Sequence, residues 1–179
     1  MIETARLVLR PFEAQDLPAF VAYRAHPDMA RFQSWDTSYS MADAERFLAS
    51  QQGLELGAAG EWVQIAAVDR ETGDLVGDCA VRLLDRTAEL GVTFAPAHQG
   101  RGLAAEALAA VIERLFTAHD VHRVFAETDD RNTGAQRLLE RLGLRCEARL
   151  VEADWFKEEW TTLRVYAMLH REWTARRAR

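Results

Sequence analysis

Cysteine is scarce in this chain: its 179 residues include only two, Cys79 and Cys146, and they form no CxxC pair. Structural zinc sites and disulfide frameworks need more cysteines at closer spacing, so we expect neither a metal ion nor a disulfide. Both cysteines lie in strand-like surroundings, where buried free thiols are common.

Long apolar runs and domain linkers are also missing. No stretch approaches the ~18 apolar residues that a membrane-spanning helix needs. Residues 1–4 lack the charged and apolar regions of a signal peptide. No Ser/Gly linker, charge block or internal repeat marks a boundary. We therefore expect a cytoplasmic protein without a membrane partner, built as one domain over residues 1–179 with a tail from about residue 170.

Basic residues are too few and too scattered for a nucleic-acid surface. The 22 Lys and Arg residues are outnumbered by 28 Asp and Glu, and the net charge is −6. The basic cluster Arg176, Arg177 and Arg179 lies at the C-terminal end. A solvated or frayed tail is expected there rather than a phosphate-binding site. We expect no nucleic-acid partner, and the acidic body favours cationic ligands such as amines.

Alternating and helical patterns divide the chain into successive elements. Strands are predicted at 6–10, 62–68, 75–83, 88–94, 121–128, 144–152 and 161–169. Helical spacing predicts four helices: two between the first two strands, one from about residue 103, and one that ends at Gly143. Asp16 is predicted to cap the first helix, and Ser40 with Asp43 to form a capping box for the second.

This order of elements predicts an α+β fold with a mixed, mostly antiparallel sheet of about seven strands. A helix between the strands at 88–94 and 122–128 implies a parallel crossover. Such crossovers place ligands at the carboxyl ends of their strands. The segments 31–35 and 154–160 are predicted to be irregular and are rich in aromatic residues.

The segment Gln99-Gly100-Arg101-Gly102-Leu103-Ala104 stands between a predicted strand and a predicted helix. Glycines let backbone N–H groups turn toward one point, and a helix N-terminus adds about half a positive charge there. Together they form an anion cradle suited to a pyrophosphate, and Arg101 adds a charge-assisted contact. The segment does not extend to GxxxxGK[ST], which excludes a Walker-type NTPase loop, and it does not extend to GxGxxG, which speaks against a Rossmann loop. A glycine-rich turn that merely starts the helix is the alternative.

Gln-x-x-Gly-x-Ala between a strand and a helix resembles the acyl-CoA signature of the GNAT superfamily of N-acetyltransferases. The opening segment 4–12, followed by Asp16 and Leu17, resembles the branch that contains ribosomal-protein N-terminal acetyltransferases. Similar segments follow in the same order over nearly the whole chain, at 88–92, 131–132, 137–143 and 166–169. The resemblance implies the GNAT fold, with about seven strands and four helices, and transfer of an acetyl group from acetyl-CoA to a primary amine.

The resemblance assigns acetyl-CoA, as cosubstrate, to the loop and to the strand before it. In the family, a backbone N–H of that strand points at the acetyl carbonyl, and the matching residues here are Val92, Thr93 and Phe94. Asn132 matches an asparagine that contacts the pantetheine arm, and a helix N-cap is its alternative role. The related branch often has Asn-x-x-Ser, but the fourth residue here is Ala135, so a serine hydroxyl is absent from this position.

Two side chains are candidates for proton transfer. A lysine-like amine has a pKa of ~10.4 and must lose a proton before it attacks a thioester. Glu89 is the candidate base, and an ion-paired glutamate is the alternative. Tyr166 is the candidate acid for the leaving thiolate, although family members usually carry this tyrosine near the fourth helix, and a packed strand residue is the alternative. His98 beside the loop is expected to be incidental.

The acceptor is the least defined part of the resemblance. The candidate amine contacts, through cation–π interaction, are the aromatic residues of the two segments that flank the groove in family members: Trp35 and Trp155 above all, with Phe32, Phe156 and Trp160. A protein N-terminus, a polyamine and another small amine all stay open as acceptors. A GNAT-like module that binds acyl-CoA without turnover is the alternative function. Homodimers are frequent in the family.

Overall fold

The computed structural model describes residues 1–178, within which eight strands form one sheet and six α-helices flank it. The strands are β1 (Ile2–Glu3), β2 (Leu7–Arg10), β3 (Trp62–Asp69), β4 (Leu75–Leu84), β5 (Thr87–Phe94), β6 (Arg123–Asp129), β7 (Arg145–Phe156) and β8 (Glu159–Leu169). The helices are α1 (Leu17–Arg24), α2 (Pro27–Ala30), α3 (Met41–Gln51), α4 (Leu103–Ala118), α5 (Thr133–Leu142) and α6 (His170–Arg177). Over these residues, no helix is long and apolar enough to cross a bilayer. The predicted α+β class is confirmed, with β1, α2 and α6 as additional elements.

The strands follow the order β1-β2-β3-β4-β5-β6-β8-β7, and β5 with β6 is the parallel pair. α4 makes the predicted crossover between these two strands. Their pairing covers only three positions, from Thr87 with Arg123 to Glu89 with Phe125. Beyond Glu89 the strands separate, so the end of β5 presents backbone groups that β6 does not pair.

The sheet buries apolar side chains on both faces. On one face, Ile65 and Leu90 belong to a large core that includes the apolar side of α4. On the other face, Ala66 and Val68 pack with Phe20 and the helices α1 and α3. Burial of a leucine- or phenylalanine-sized side chain stabilises a fold by roughly 1.5–3 kcal/mol. These contacts fix the start of α4, and with it the glycine loop, against the sheet.

The C-terminal segment, expected as a tail from about residue 170, is helical as far as Arg177, and its last described residues are exposed. In α6, Trp173 packs against Phe116 with ring centroids 5.6 Å apart, and His170 stacks on the same ring at 5.1 Å. Arg177 bonds to a glutamate of α4. Two aromatic contacts therefore anchor a segment whose composition is mostly polar. Arg179 lies outside the described residues.

Two predicted helix caps have different outcomes. The capping box of α3 is confirmed, because Ser40 N donates to Asp43 Oδ2 at 2.8 Å and Asp43 N donates to Ser40 Oγ at 3.3 Å. Asp16 occupies the N-cap position of α1, as predicted, but its side chain accepts no hydrogen bond from that helix. The Asp16 carboxylate instead accepts the backbone N–H of Glu13 at 2.8 Å, which closes a short 3-10 turn before α1.

The segment 154–160 is a tight hairpin rather than an irregular loop. β7 and β8 are joined by only two turn residues, Lys157 and Glu158, with φ values of 48° and 65°. Trp155 pairs directly with Trp160 across the strands. Two-residue turns with positive φ usually carry Asn-Gly or a similar pair. Because neither residue is present here, the sequence does not reveal the turn.

The two cysteines differ in exposure. Cys79 in β4 is buried, as expected, and burial raises the pKa of its thiol. Cys146 in β7 is exposed, which corrects the expectation of a second buried thiol.

Candidate functional site

Two connected clefts lie where β5 and β6 separate. The loop-side cleft, with a volume of about 510 Å³, is bounded by the glycine loop, the first turns of α5 and the end of β5. The strand-side cleft, about 310 Å³, lies between β5, β6 and the β7–β8 hairpin. The residues common to both are Phe32, Gln33, Val92, Asn132, Ala135 and Leu138. A molecule bound in the first cleft can therefore present its end to the second.

The glycine loop has the geometry of an anion cradle. Gly100 and Gly102 adopt left-handed φ values of 73° and 79°, which let the chain turn immediately before α4. The first N–H groups of α4 have no intrahelical partners, and the positive end of the helix dipole lies at the same place. The predicted loop residues that line the loop-side cleft are Gln99, Gly100, Gly102, Leu103 and Ala104.

Arg101 does not line this cleft, in contrast to its predicted phosphate contact. Its Nη1 lies 3.3 Å from Nδ1 of His98, and its carbonyl accepts a hydrogen bond from Arg6 Nη1 at 2.9 Å. Arg6 Nε also donates to Glu106 of α4 at 2.7 Å. Arg6 thus fixes the loop from its outer side. The sequence does not reveal this role, because the two segments are 95 residues apart.

α5 contributes a cap and two arginines to the loop-side cleft. Asn132 Oδ1 accepts the backbone N–H of Ala135 at 3.1 Å, which confirms its capping role, and Asn132 also lines both clefts. Arg137 and Arg141 line the loop-side cleft one turn apart. Guanidinium groups bind phosphate well. Arg137 and Arg141 are spaced i, i+4 after the helix cap, and this spacing in the sequence predicts that both lie on the same face of α5.

The end of β5 forms the wall between the clefts. Val92, Thr93 and Phe94 all line the loop-side cleft, where the resemblance predicts the cofactor. Gln33 Nε2 donates a hydrogen bond to Thr93 Oγ1 at 3.4 Å. Gln99 Nε2 donates to the Phe94 carbonyl at 2.8 Å, which holds the loop at the end of the strand.

Acidic side chains are prominent in the strand-side cleft, which is lined by Glu89, Glu127, Asp129 and Asp154. Glu89 is ion-paired with Arg82, and Asp129 is ion-paired with Arg131. Within residues 1–178, Glu127 and Asp154 have no ion-pair partner of this kind. Over the same residues, no group of three or more His, Cys, Asp or Glu side chains is arranged to hold a metal ion.

Glu127 in β6 is a solvent-exposed carboxylate whose pKa is raised above its ordinary value. Partial desolvation by the cleft raises this pKa, the negative charges of Glu89 and Asp154 raise it further, and Arg82 opposes the shift. A carboxylate with a raised pKa in a cleft is a candidate for proton transfer. The sequence alone does not reveal Glu127, because its place beside Glu89 depends on the register and separation of β5 and β6.

Tyr166 lies in the core and lines neither cleft, which does not support the proposed role as an acid. Its side chain is fully buried, and its hydroxyl donates to Glu140 Oε1 at 3.1 Å. Burial and this carboxylate raise the pKa of the phenol. Its alternative role, a packed strand aromatic, agrees with this position. None of the three tyrosines lines either cleft, and all three lie in the described part of the chain.

The two candidate tryptophans also lie outside both clefts. Trp35 stacks on the Arg24 guanidinium at 3.8 Å and donates Nε1–H to the Arg24 carbonyl at 3.1 Å. Trp155 packs on Trp160 with ring centroids 5.4 Å apart, on the opposite face of the hairpin from the cleft. Phe32 and Phe156, the other candidates from the same two segments, do line the strand-side cleft, and Trp62 lines it as well.

Known proteins share this fold. The acetyltransferase (GNAT) domain family matches residues 6–145, which is most of the chain. The chain belongs to this GNAT family. It is an acetyltransferase, and the family resemblance drawn from the glycine loop is confirmed.

Three relatives match this GNAT protein over almost their whole length. A Bacillus licheniformis protein named uncharacterized N-acetyltransferase p20 is 25% identical over 173 residues, which are 95% of this chain and 96% of the relative. A GNAT-family acetyltransferase structure from Bacillus anthracis has a TM-score of 0.86 at 25% identity, over 96% of this chain and 99% of that one. The spermidine N-acetyltransferase of Vibrio cholerae, solved with CoA and spermine, shares the fold with a TM-score of 0.81 at 20% identity, over 96% and 99% of the two chains.

Proposed function

We propose that this enzyme binds acetyl-CoA in the loop-side cleft and transfers its acetyl group to the primary amine of a small cationic molecule in the strand-side cleft. The observation that carries the proposal is the opening between β5 and β6, which joins an anion-binding cleft to a cleft lined by carboxylates. The activity of the Vibrio cholerae fold relative on spermidine supports a polyamine-like acceptor.

The loop-side cleft suits each part of acetyl-CoA. The backbone N–H groups of Gly100 to Ala104 bind the pyrophosphate, and Arg137 and Arg141 add positive charge beside it. The pantetheine arm carries amide groups, and the end of β5 has backbone groups that β6 leaves unpaired. These groups can pair with the amides as an added strand would. The thioester then lies near Val92, which lines both clefts.

The strand-side cleft suits a cationic acceptor. The carboxylates of Glu127 and Asp154 line this cleft and attract an ammonium group. The rings of Phe32 and Phe156 offer cation–π contacts to the same group. A second ammonium on the acceptor lets one carboxylate hold the substrate while the other takes part in proton transfer.

Glu127 accepts the proton of the attacking amine in this proposal. Its pKa is raised and so lies closer to neutral pH than the pKa of an ordinary glutamate. Glu89 is the base predicted from the sequence, but its Oε2 already accepts hydrogen bonds from two nitrogens of Arg82. The developing oxyanion is stabilised by a backbone N–H at the end of β5, which needs no side chain.

The leaving thiolate is protonated by solvent or by the proton released from the amine. A thiol has a pKa of ~8.5, so a thiolate is a good leaving group near neutral pH even without a dedicated acid. The location of all three tyrosines outside both clefts supports this step.

A panel assay tests the proposal. Release of free CoA from acetyl-CoA is measured with four groups of acceptors. These are diamines and polyamines, monoamines with no second charged group, amino acids, and peptides with free N-termini. We expect the highest kcat/KM with acceptors that carry two or more positive charges, and a decrease of kcat/KM with salt, which screens the acidic cleft. If calorimetry shows that acetyl-CoA binds but no amine causes release of CoA, the result would instead support a module that binds acyl-CoA without turnover.

A further inference from the structure

Lys157 is the only lysine among the 22 Lys and Arg residues of the chain. It occupies the first position of the two-residue turn between β7 and β8, with a φ of 48°, and Glu158 follows with a φ of 65°. Residues with side chains rarely adopt this left-handed conformation. The turn therefore holds two non-glycine residues in a backbone conformation that is unfavourable for them.

The ammonium of Lys157 makes three polar contacts with one neighbouring segment. Nζ donates to the carbonyl of Ala30 at 2.7 Å and to the carbonyl of Trp35 at 2.8 Å, and it lies 3.1 Å from Asp36 Oδ1. An ammonium has three N–H donors, and all three have an oxygen here. A guanidinium presents its donors in a planar fork, so arginine cannot reproduce this convergence.

The segment that Lys157 binds is residues 30–36, the rim loop, which contributes to both clefts. Phe32 and Gln33 of the rim loop line the loop-side and the strand-side cleft. The hairpin on the other side contributes Phe156 and Thr161 to the strand-side cleft. Lys157 thus joins two opposite walls of the acceptor cleft.

We propose that Lys157 is a positioning residue, whose ammonium clasps the rim loop to the β7–β8 hairpin and so sets the width of the strand-side cleft. Through this clasp it holds Phe32 and Gln33 against the acceptor. The part of the inference that concerns the acceptor rests on the proposed function. The clasp itself rests on the contacts of Lys157 alone.

Three variants test the clasp. Lys157→Gln removes the ammonium, Lys157→Arg keeps the charge but changes the donor geometry, and Glu158→Gln is a matched control. This control changes the adjacent turn residue, which also has a left-handed backbone conformation. The substitution leaves the contacts of Lys157 in place. Two readouts are measured: hydrogen exchange of the rim-loop amides, and KM and kcat for acetyl-CoA and for the best acceptor of the panel.

For Lys157→Gln we expect hydrogen exchange of the rim-loop amides to be faster by about tenfold or more. The kcat/KM for the acceptor should fall roughly tenfold, since misplacement of a substrate by 1 Å can cost about 10² in rate. The KM for acetyl-CoA should change less than the KM for the acceptor, because the glycine loop, Arg137 and Arg141 line the loop-side cleft independently of the rim loop. Lys157→Arg should behave like Lys157→Gln, and Glu158→Gln like the wild type.

Rim-loop exchange in Lys157→Gln equal to that in Glu158→Gln overturns the clasp. So does full restoration of exchange and kcat/KM by arginine. An equal loss for both substrates with a lower melting temperature shows a general structural effect and also contradicts the inference. If the wild type acetylates no amine, the proposed function fails, and hydrogen exchange alone still decides whether Lys157 holds the rim loop.

Discussion

Arg82 and Glu89 face each other directly across β4 and β5, and Arg82 Nε donates to Glu89 Oε2 at 3.1 Å. A second nitrogen of the same guanidinium binds the same oxygen. The Glu89 side chain is only 15% exposed, so the pair is partly shielded from water. This arrangement favours a glutamate that fixes an arginine beside the strand-side cleft over a glutamate that exchanges protons with the substrate.

Glu89→Gln separates these two roles. If Glu89 mainly holds Arg82, we expect turnover to fall by less than about tenfold and the melting temperature to fall, because a partly buried charge loses its partner. A positioned base would instead cost ~10²–10⁴ in turnover. Thermal melts and kcat are measured for Glu89→Gln and Arg82→Gln. A loss above about a hundredfold with an unchanged melting temperature would make Glu89 the base.

Gly102→Val tests the pyrophosphate site, and Gly73→Val is its matched control. The two glycines have φ values of 79° and 78°, and an added Cβ meets no atom closer than 3.6 Å at either position. Both variants should therefore lose a similar ~1–2 kcal/mol from left-handed strain. Only Gly102→Val should weaken acetyl-CoA binding, by about tenfold or more, as measured by calorimetry. Equal affinities in the two variants would show that the loop does not bind the cofactor.

Asn132→Asp tests a cofactor contact beyond the helix cap. Aspartate keeps an oxygen for the N–H of Ala135, and its charge is favoured at a helix N-terminus by about 0.3–1 kcal/mol. The melting temperature should therefore hold or rise slightly. The KM for acetyl-CoA should rise several-fold, because the amide donors are lost and a negative charge enters the cleft. An unchanged KM would leave Asn132 as a cap alone.

Asp78 in β4 should make stability depend on pH. It is fully buried and accepts the Tyr23 hydroxyl at 2.5 Å. Burial raises its pKa from 3.8 to about 6, and Arg24 and the Tyr23 hydrogen bond oppose the shift. Since the folded pKa lies above the unfolded value, the folded state holds the proton more tightly. This contribution is complete below 3.8 and is lost as the pH rises through about 6.

The free energy of unfolding of the wild type relative to Asp78→Asn should therefore decrease between pH 4 and pH 7, by about 3 kcal/mol at most for a shift of about two units. Denaturant melts of both proteins at several pH values measure this difference. A difference that stays constant or increases over this range would contradict a raised pKa for Asp78.

Features that depend on local backbone chemistry could be predicted from the sequence. Ser40 with Asp43, Gly143 at the end of α5, and the glycine loop before α4 each involve a few consecutive residues. Their geometry follows from the residue types present, and the structure places them as predicted. The parallel crossover followed in the same way from the order of strand, helix and strand.

Features that depend on strand register could not be predicted. Glu127 faces the strand-side cleft only because β6 parts from β5 after Glu89. Tyr166 and Trp155 have the residue types of an acid and an amine contact, but the alternation of β8 and β7 turns both away from the cleft. Residue type alone does not say which face of a strand is buried. The cytoplasmic location and the single domain stay predictions.

The rate of acetyl transfer as a function of pH, for the wild type and Glu127→Gln with one diamine acceptor, tests the central claim most directly. We predict that the wild type acetylates the diamine and that Glu127→Gln is slower by ~10²–10⁴ near neutral pH. The variant should approach the wild type as the pH nears the pKa of the amine, because the substrate then arrives neutral. Affinity for acetyl-CoA should be the same in both proteins. Parallel pH profiles within a few-fold of each other, or a wild type that transfers acetyl to no cationic amine, would contradict the claim.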